Sequence, residues 1–297
     1  MNLDHLHPNL HSWLDLSIDE RLARIRAPRW IGYPQANSIL TKLDEALAYP
    51  KTHRMPNFLI VGDTNNGKTM LINRFCAKHP ADDNPKGDYA NVPVLLVQAP
   101  PTADEGRFYN AILDLLFAVY KNHDRIDKKQ FQVIALLKTL GVKMLIIDEI
   151  HHILAGSIIR QKVFLNVIKY LGNELQIPIV GVGTKDAYRA IQSDPQLSNR
   201  FNPLVLPRWQ LDDSFLSLLV SFERMLPLKK SSNLHDTTMA SQLLSMSEGY
   251  IGELSMLLNE AAIYAIKNGF EAITIKVLKS IDWVAPSSRK RQLDRLV

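Results

Sequence analysis

Gly62-Asp63-Thr64-Asn65-Asn66-Gly67-Lys68-Thr69 is the stretch that decides the fold. It satisfies G-x-x-x-x-G-K-[ST] at every position. Asn57–Val61 before it reads as a buried strand and Lys68–Lys78 after it as a helix, the context this pattern requires. Such a loop turns successive backbone N–H groups inward. Its glycines allow a close wrap around oxygen, and the helix N-terminus adds partial positive charge. The expected phosphate-binding set is Gly62, Asp63, Thr64, Asn65, Asn66, Gly67, Lys68 and Thr69, with Met70 next on the helix. Lys68 is expected to neutralise the β- and γ-phosphates of ATP, and the Thr69 hydroxyl to ligate Mg²⁺.

Lys143-Met144-Leu145-Ile146-Ile147-Asp148-Glu149 supplies the second half. Four apolar residues mark a buried central strand, and two carboxylates follow at its C-terminal end, where open α/β sheets bind ligands. Asp148 is expected to hold Mg²⁺ and Glu149 to act as general base on the attacking water. Ile177–Val182 reads as the neighbouring strand, with Thr184 near its tip. Thr184 either senses the γ-phosphate, positions the water or caps the helix beginning near Lys185; the residues leave these open. Arg200 stands between a helix and a short strand, Leu204–Leu206. In ring-forming ATPases an arginine at this place reaches the neighbouring subunit's γ-phosphate, with Arg189 here as the reserve.

Outward from this centre, strands alternate with helices. Val92–Gln98 reads as a strand, and Phe108–Tyr120, Asp127–Leu140 and Val163–Leu175 as helices. Short continuous apolar strands between helices predict a parallel sheet covered on both faces. After Pro207 only helical patterns remain: Asp213–Met225, Asp236–Ser245, Ile251–Asn268 and Ile275–Trp283. Ser17 with Glu20 forms a capping-box pattern in the lead-in, and Ala36–Ala48 is amphipathic. The expected organisation is a helical lead-in over 1–54, an α/β domain over 55–207, a helical lid over 208–285 and a basic tail over 286–297.

Composition narrows the function classes. Of 297 residues, 46% are hydrophobic and 22% charged, which allows a core and excludes a disordered chain. One cysteine, Cys76, excludes an intrachain disulfide framework and a multi-cysteine zinc site, and fits a reducing compartment. Cys76 itself reads as a small buried apolar residue. The first 20 residues show no signal-peptide core, and no apolar run approaches the roughly 20 residues of a membrane span, so a cytoplasmic location is expected. A net charge of +5 is compatible with nucleic acid without demanding it. His5, His7 and His11 complete no metal set. His151 and His152 are expected to orient the loop after Glu149 rather than bind metal.

With these motifs in this order, followed by a helical lid, the chain resembles the AAA+ P-loop NTPases. Arg29-Trp30-Ile31-Gly32-Tyr33-Pro34, Met55-Pro56-Asn57, the phosphate loop and Leu145-Ile146-Ile147-Asp148-Glu149-Ile150-His151-His152 resemble the TniB family. These are AAA+ transposition regulators related to TnsC and MuB. The resemblance spans roughly Ser17 to Ala285. It implies ATP-dependent assembly on double-stranded DNA as a homo-oligomeric filament or ring, recruitment of a TniA/TnsB-type transposase, contact with a TniQ-type target-selection protein, and disassembly on hydrolysis. It places Ile31 and Tyr33 against adenine. It turns the segment after the second strand toward DNA, making Arg107, Lys121, Arg125, Lys128 and Lys129 candidate phosphate contacts, with Arg160 and Lys162 weaker ones. The basic tail, with Arg289, Lys290, Arg291 and Arg295, grips DNA, docks the transposase or merely solubilises. One departure stands out. Many AAA+ lids carry an arginine that touches the γ-phosphate, whereas Gly249-Tyr250-Ile251-Gly252-Glu253-Leu254-Ser255-Met256 contains none. Lid sensing of the nucleotide is then weakened, or done indirectly by backbone groups and Glu253. A helicase-loader or initiator-like AAA+ ATPase, or a stand-alone P-loop signalling enzyme or transferase, are the alternatives.

Overall fold

The computed structural model describes residues 3–154, 157–192 and 198–289. Its backbone contacts group into two compact units. One is Pro34–Thr64 with Lys68–Pro207; the other is Met1–Tyr33 with Asn65–Gly67 and Arg208–Val297.

The first unit is built on five parallel strands: β1 (Asn57–Gly62), β2 (Val94–Gln98), β3 (Met144–Asp148), β4 (Ile179–Gly183) and β5 (Phe201–Leu206). Their order is β2-β3-β4-β1-β5. Every residue of β3 and β4 is buried, which explains their unbroken apolar runs. The edge strand β5 alternates buried and exposed residues and tolerates Pro203, because an edge has no second partner needing that N–H. Ile147 pairs with Gly181 and Val61 with Gly183, so β1, β3 and β4 end on one side of the sheet.

Among the described residues this unit contains α2 (Pro34–Leu47), α3 (Lys68–Lys78), α4 (Glu105–Leu115), α5 (Ile126–Thr139), α6 (Ile158–Leu175) and α7 (Lys185–Gln192). A 3-10 turn, Ile150–Leu154, follows β3. The helix expected over Phe108–Tyr120 is displaced. It starts earlier because Asp104 caps it, accepting from the Arg107 amide at 2.8 Å. It stops at Leu115, where Phe117 turns left-handed (φ 52°) and the Ala118 amide donates back to the Leu113 carbonyl at 2.9 Å. Phe117 and Val119 are left 95% and 93% exposed.

The second unit contains α1 (Ile18–Arg26), α8 (Asp213–Glu223), α9 (Thr237–Ser247), α10 (Ile251–Lys267) and α11 (Ile275–Ser280). The Ser17–Glu20 capping box forms as its pattern predicts. The lead-in expected over 1–54 is not one body, because its two helices bury their apolar faces in different places. Leu22 and Ile25 of α1 join Phe215, Leu219, Leu254 and Leu258 in the helical core. Helix α2, with Ile39 and Leu43 buried, packs on α3 and β5. A buried ion pair ties α1 to the C-terminal helices: both terminal nitrogens of Arg21 reach the Glu271 carboxylate, at 2.8 and 2.6 Å. No helix among the described residues is long and apolar enough to cross a membrane.

Candidate nucleotide-binding and hydrolysis site

The phosphate loop leaves β1 at Gly62 and enters α3 at Lys68. Asn65 (φ 59°) and Gly67 (φ 80°) are both left-handed, which bends the chain into a closed turn. Gly67 admits no side chain readily: its backbone is strained for any L-residue, and a Cβ would lie 3.2 Å from Ile251 Cγ2. Lys68 is buried and folds back over the loop, donating from Nζ to the Gly62 carbonyl at 3.0 Å and the Asp63 carbonyl at 2.8 Å. Burial lowers its pKa, and the carboxylates of Glu149, Asp148 and Asp63 oppose that shift. An ammonium held among carbonyls beside acidic groups is placed to exchange them for phosphate oxygens.

Thr69 Oγ1 donates to Asp148 Oδ2 at 3.1 Å. The loop and the end of β3 therefore meet as the two motifs require. Asp148 is buried, and burial raises its pKa against the lowering effects of the Glu149 amide and the Thr69 hydroxyl. A hydroxyl and a carboxylate form an oxygen-only donor set, which fits Mg²⁺. Glu149 adopts φ 53° and gives its amide to Asp148 Oδ1 at 2.8 Å. A non-glycine residue so placed costs on the order of 1–3 kcal/mol, a strain found preferentially at functional sites. The turn that follows lies tight on β4. A Cβ on Gly181 would come within 2.9 Å of Ile150 Cδ1, and one on Gly183 within 3.2 Å of Ile150 Cγ2. The two glycines of β4 are what let residues 150–152 approach.

Thr184 follows β4. Its Oγ1 is buried without any protein hydrogen-bond partner, so the hydroxyl does not cap α7; its carbonyl instead accepts from the Ala187 amide at 3.0 Å. An orphaned hydroxyl at the tip of a central strand costs free energy unless a ligand or water satisfies it.

Arg200 lies elsewhere. It immediately precedes Phe201, which pairs with Asn57, whereas the phosphate loop leaves from Gly62 at the other end of β1. At about 3.3 Å per residue the strand separates them by about 17 Å, so Arg200 cannot reach its own loop. Its Nη1 donates to Asn173 Oδ1 at 2.8 Å, in a shallow depression shared with Arg54 and Lys169. Arg189 is exposed and pairs with Asp186 at 3.0 Å.

In the helical unit, Ile31 and Tyr33 pack against the core, and the Tyr33 ring meets Trp209 edge-on at 5.1 Å. Burial pushes the Tyr33 hydroxyl up to about 12. Met70 on α3 is 40% exposed. The loop tip Asn65–Gly67 groups with this unit through contacts the sequence does not announce. The Gly252 amide donates to the Asn65 carbonyl at 3.0 Å, and Asn65 Nδ2 donates to Glu253 Oε1 at 2.9 Å. Glu253 also receives both terminal nitrogens of Arg289, at 3.0 and 2.7 Å. A lid helix with Glu253 where an arginine is common was the one available signal.

Among the cations proposed for DNA, Arg107, Lys121, Arg125 and Lys128 are exposed. Arg125 pairs with Asp127 at 3.0 Å and Lys128 with Asp124 at 2.8 Å, exposed pairs of small worth. Lys129 must be removed from the set. It is 4% exposed, its Nζ donates to the Asn122 carbonyl at 2.9 Å, and it sits over the Tyr120 ring. Arg160 and Lys162 are exposed on α6. Lys290, Arg291 and Arg295 lie outside the described residues. Cys76 is partly rather than fully buried, and burial raises its thiol pKa, the mark of an unreactive cysteine.

A family model described as "Bacterial TniB protein" matches residues 21–211. The ATP-binding subunit ClpL of a Clp protease from Lactococcus lactis is 26% identical over 158 residues, 52% of this chain and 19% of that protein. The chain thus matches less than a fifth of the length of this curated relative. The ORC2 protein of Aeropyrum pernix, solved with ADPNP and ADP, superimposes with a TM-score of 0.58 at 14% identity, covering 86% of this chain and 70% of that one. The ORC1 protein of the same organism, solved in complex with DNA, gives 0.55 at 15% identity, covering 87% and 68%. The fold is that of the AAA+ ATPases.

Proposed function

This chain belongs to the TniB family, and from that premise and the site's geometry we propose that it is an ATPase that assembles on duplex DNA and regulates transposition. The observation that carries the reading is the convergence of Lys68, Thr69, Asp148 and Glu149 at the ends of β1 and β3, tied by the Thr69–Asp148 hydrogen bond.

The roles follow from the chemistry. Amides of the Gly62–Gly67 loop and the start of α3 hold the phosphates, and Lys68 offsets their charge. Thr69 and Asp148 hold Mg²⁺, which when bound supplies charge neutralisation across the phosphates. Glu149 takes the proton of the attacking water, and the Thr184 hydroxyl contacts that water or the γ-phosphate. Ile31 and Tyr33 offer apolar surface to adenine. Because Arg200 cannot serve its own loop, it serves a neighbour's in the homo-oligomer, so hydrolysis requires assembly.

DNA is held by phosphate contacts from Arg107, Lys121, Arg125 and Lys128, multiplied around the oligomer and largely indifferent to sequence. The assembly recruits a transposase of the TniA/TnsB type and meets a TniQ-type selector; hydrolysis releases it. The likeness to the DNA-bound ORC1 protein is compatible with duplex binding. Electron microscopy with duplex DNA tests the reading. Filaments or rings that form with a non-hydrolysable ATP analogue and not without nucleotide support it; a monomer indifferent to both removes it.

A further inference from the structure

His151 and His152 converge with Glu149 at the hydrolysis site, and the hydrolysis reading gives the two histidines no role. One ligand atom from each lies within 4.8 Å of the others, and His151 Nε2 is already 3.2 Å from Glu149 Oε2. A four-coordinate ion with bonds of about 2.0 Å spaces its ligand atoms about 3.3 Å apart, close to the 3.2 Å between His151 and Glu149. The His151 and His152 rings lie side by side at a tilt of 57°, 4.8 Å between centroids. Nδ1 of each ring is buried and meets no hydrogen-bond partner in the protein. A buried imidazole nitrogen without a partner is costly, and an ion held through Nδ1 of either ring would relieve that ring's cost. Three features of the fold hold the cluster: the left-handed Glu149, the 3-10 turn Ile150–Leu154, and Gly181 and Gly183 of β4, which admit that turn.

We propose that Glu149, His151 and His152 form a binding site for a transition-metal ion of the Zn²⁺ class, separate from the Mg²⁺ donors, and that its occupancy withdraws Glu149 from water activation. Donor chemistry sorts the two ions. Thr69 and Asp148 offer oxygen alone, which suits Mg²⁺; two imidazoles with one carboxylate suit Zn²⁺ or Co²⁺ and leave an open position. From the sequence, His151 and His152 are expected to orient the loop after Glu149 rather than bind metal. The carboxylate that completes the set is Glu149 itself, whose Oε2 lies 3.2 Å from His151 Nε2. None of the three ligands belongs to Gly62–Thr69, so ATP binding persists while turnover stops, and assemblies on DNA live longer. The site stands on geometry; the effect on turnover rests on Glu149 as base.

Cobalt(II) reports directly on the site. The full chain is titrated with Co²⁺ in saturating Mg²⁺ and ADP, following the visible d–d absorption of low-coordinate cobalt, and Zn²⁺ is then added in competition. One Co²⁺ per chain, displaced by Zn²⁺, is expected. The His151→Ala/His152→Ala pair and, separately, Glu149→Gln should each weaken Co²⁺ by about tenfold or more, since even an outer partner of a ligand is worth that much. Unchanged affinity in Glu149→Gln, which preserves side-chain shape, overturns the site whatever the histidine variant does. A fluorescent ATP analogue should bind equally with and without Zn²⁺; its loss overturns the separation of the two ions. If Co²⁺ affinity falls in the variants yet saturating Zn²⁺ leaves hydrolysis unchanged, the site stands and the base reading of Glu149 falls instead.

Discussion

The side-chain amide of Asn65 donates to the Glu253 carboxylate at 2.9 Å, and that carboxylate is held in turn by Arg289. The tip of the phosphate loop is thus fastened to the first turn of α10, at the stretch that lacks a lid arginine. Glu253 is 7% exposed, so Glu253→Ala leaves Asn65 without its acceptor. We expect a stability loss of about 1–3 kcal/mol and weaker ATP binding. Arg289→Ala, removing a guanidinium still 40% exposed, should do the same to a smaller degree. Thermal melts and nucleotide titrations check both; ATP affinity unchanged in Glu253→Ala would divorce the anchor from binding.

Within the site, two substitutions should fail in opposite ways. Lys68→Ala removes the buried ammonium and is expected to abolish ATP binding and DNA assembly together. Glu149→Gln keeps the shape of the side chain and loses only the base, so ATP-bound oligomers should persist on DNA. Oligomers as short-lived as those of the parent would make Glu149 a bystander.

Arg200 faces away from its own loop by the length of β1. Arg200→Ala should bind ATP normally and lose about 10³-fold or more in turnover, the scale of an arginine supplied in trans. Mixing supplies the sharper check. A Glu149→Gln chain lacks the base but still assembles and carries a good Arg200, so it should restore turnover to Arg200→Ala chains. No complementation in mixed oligomers would remove Arg200 from the site.

Salt dependence separates the cations. Arg107→Ala, Lys121→Ala, Arg125→Ala and Lys128→Ala should each lower the slope of log affinity against log salt by about 1 and weaken all duplexes alike. Lys129→Ala should leave the slope unchanged and lower the melting temperature, because the side chain is buried and its ammonium serves the Asn122 carbonyl. A slope change for Lys129 comparable to the others would return it to the DNA surface.

Acid should loosen the helical unit through Glu271. Burial raises its pKa, but hydrogen bonds from Arg21 and the Lys229 amide outweigh burial, and the net shift is downward from 4.5. A group whose pKa is depressed on folding stabilises above its unfolded value and loses that contribution as pH falls through the folded one. Stability should therefore decline below about pH 4.5. Arg21→Ala, breaking a pair in which the arginine side chain is 3% exposed, should cost about 3–5 kcal/mol and remove that part of the acid dependence. Melts between pH 3 and 7 read it; an unaltered profile in the variant would dissociate the pair from the transition.

Much was legible before any coordinates. The phosphate loop, the Asp148–Glu149 strand end, the alternation of strand and helix and the helical region after Pro207 rest on short-range spacing, glycine placement and apolar periodicity, which neighbouring residues determine among themselves. What only the tertiary structure decided involves groups brought together across the chain. Arg21 meets Glu271, and α1 joins helices some 200 residues later because apolar faces bury wherever a matching face exists. Lys129 left the DNA set because burial belongs to a packed environment rather than to a residue type. Asn65 found Glu253, and Glu149 came to lie beside His151 on a turn that packs closely on Gly181 and Gly183. Local chemistry announced a nucleotide loop; long-range packing determined what surrounds it.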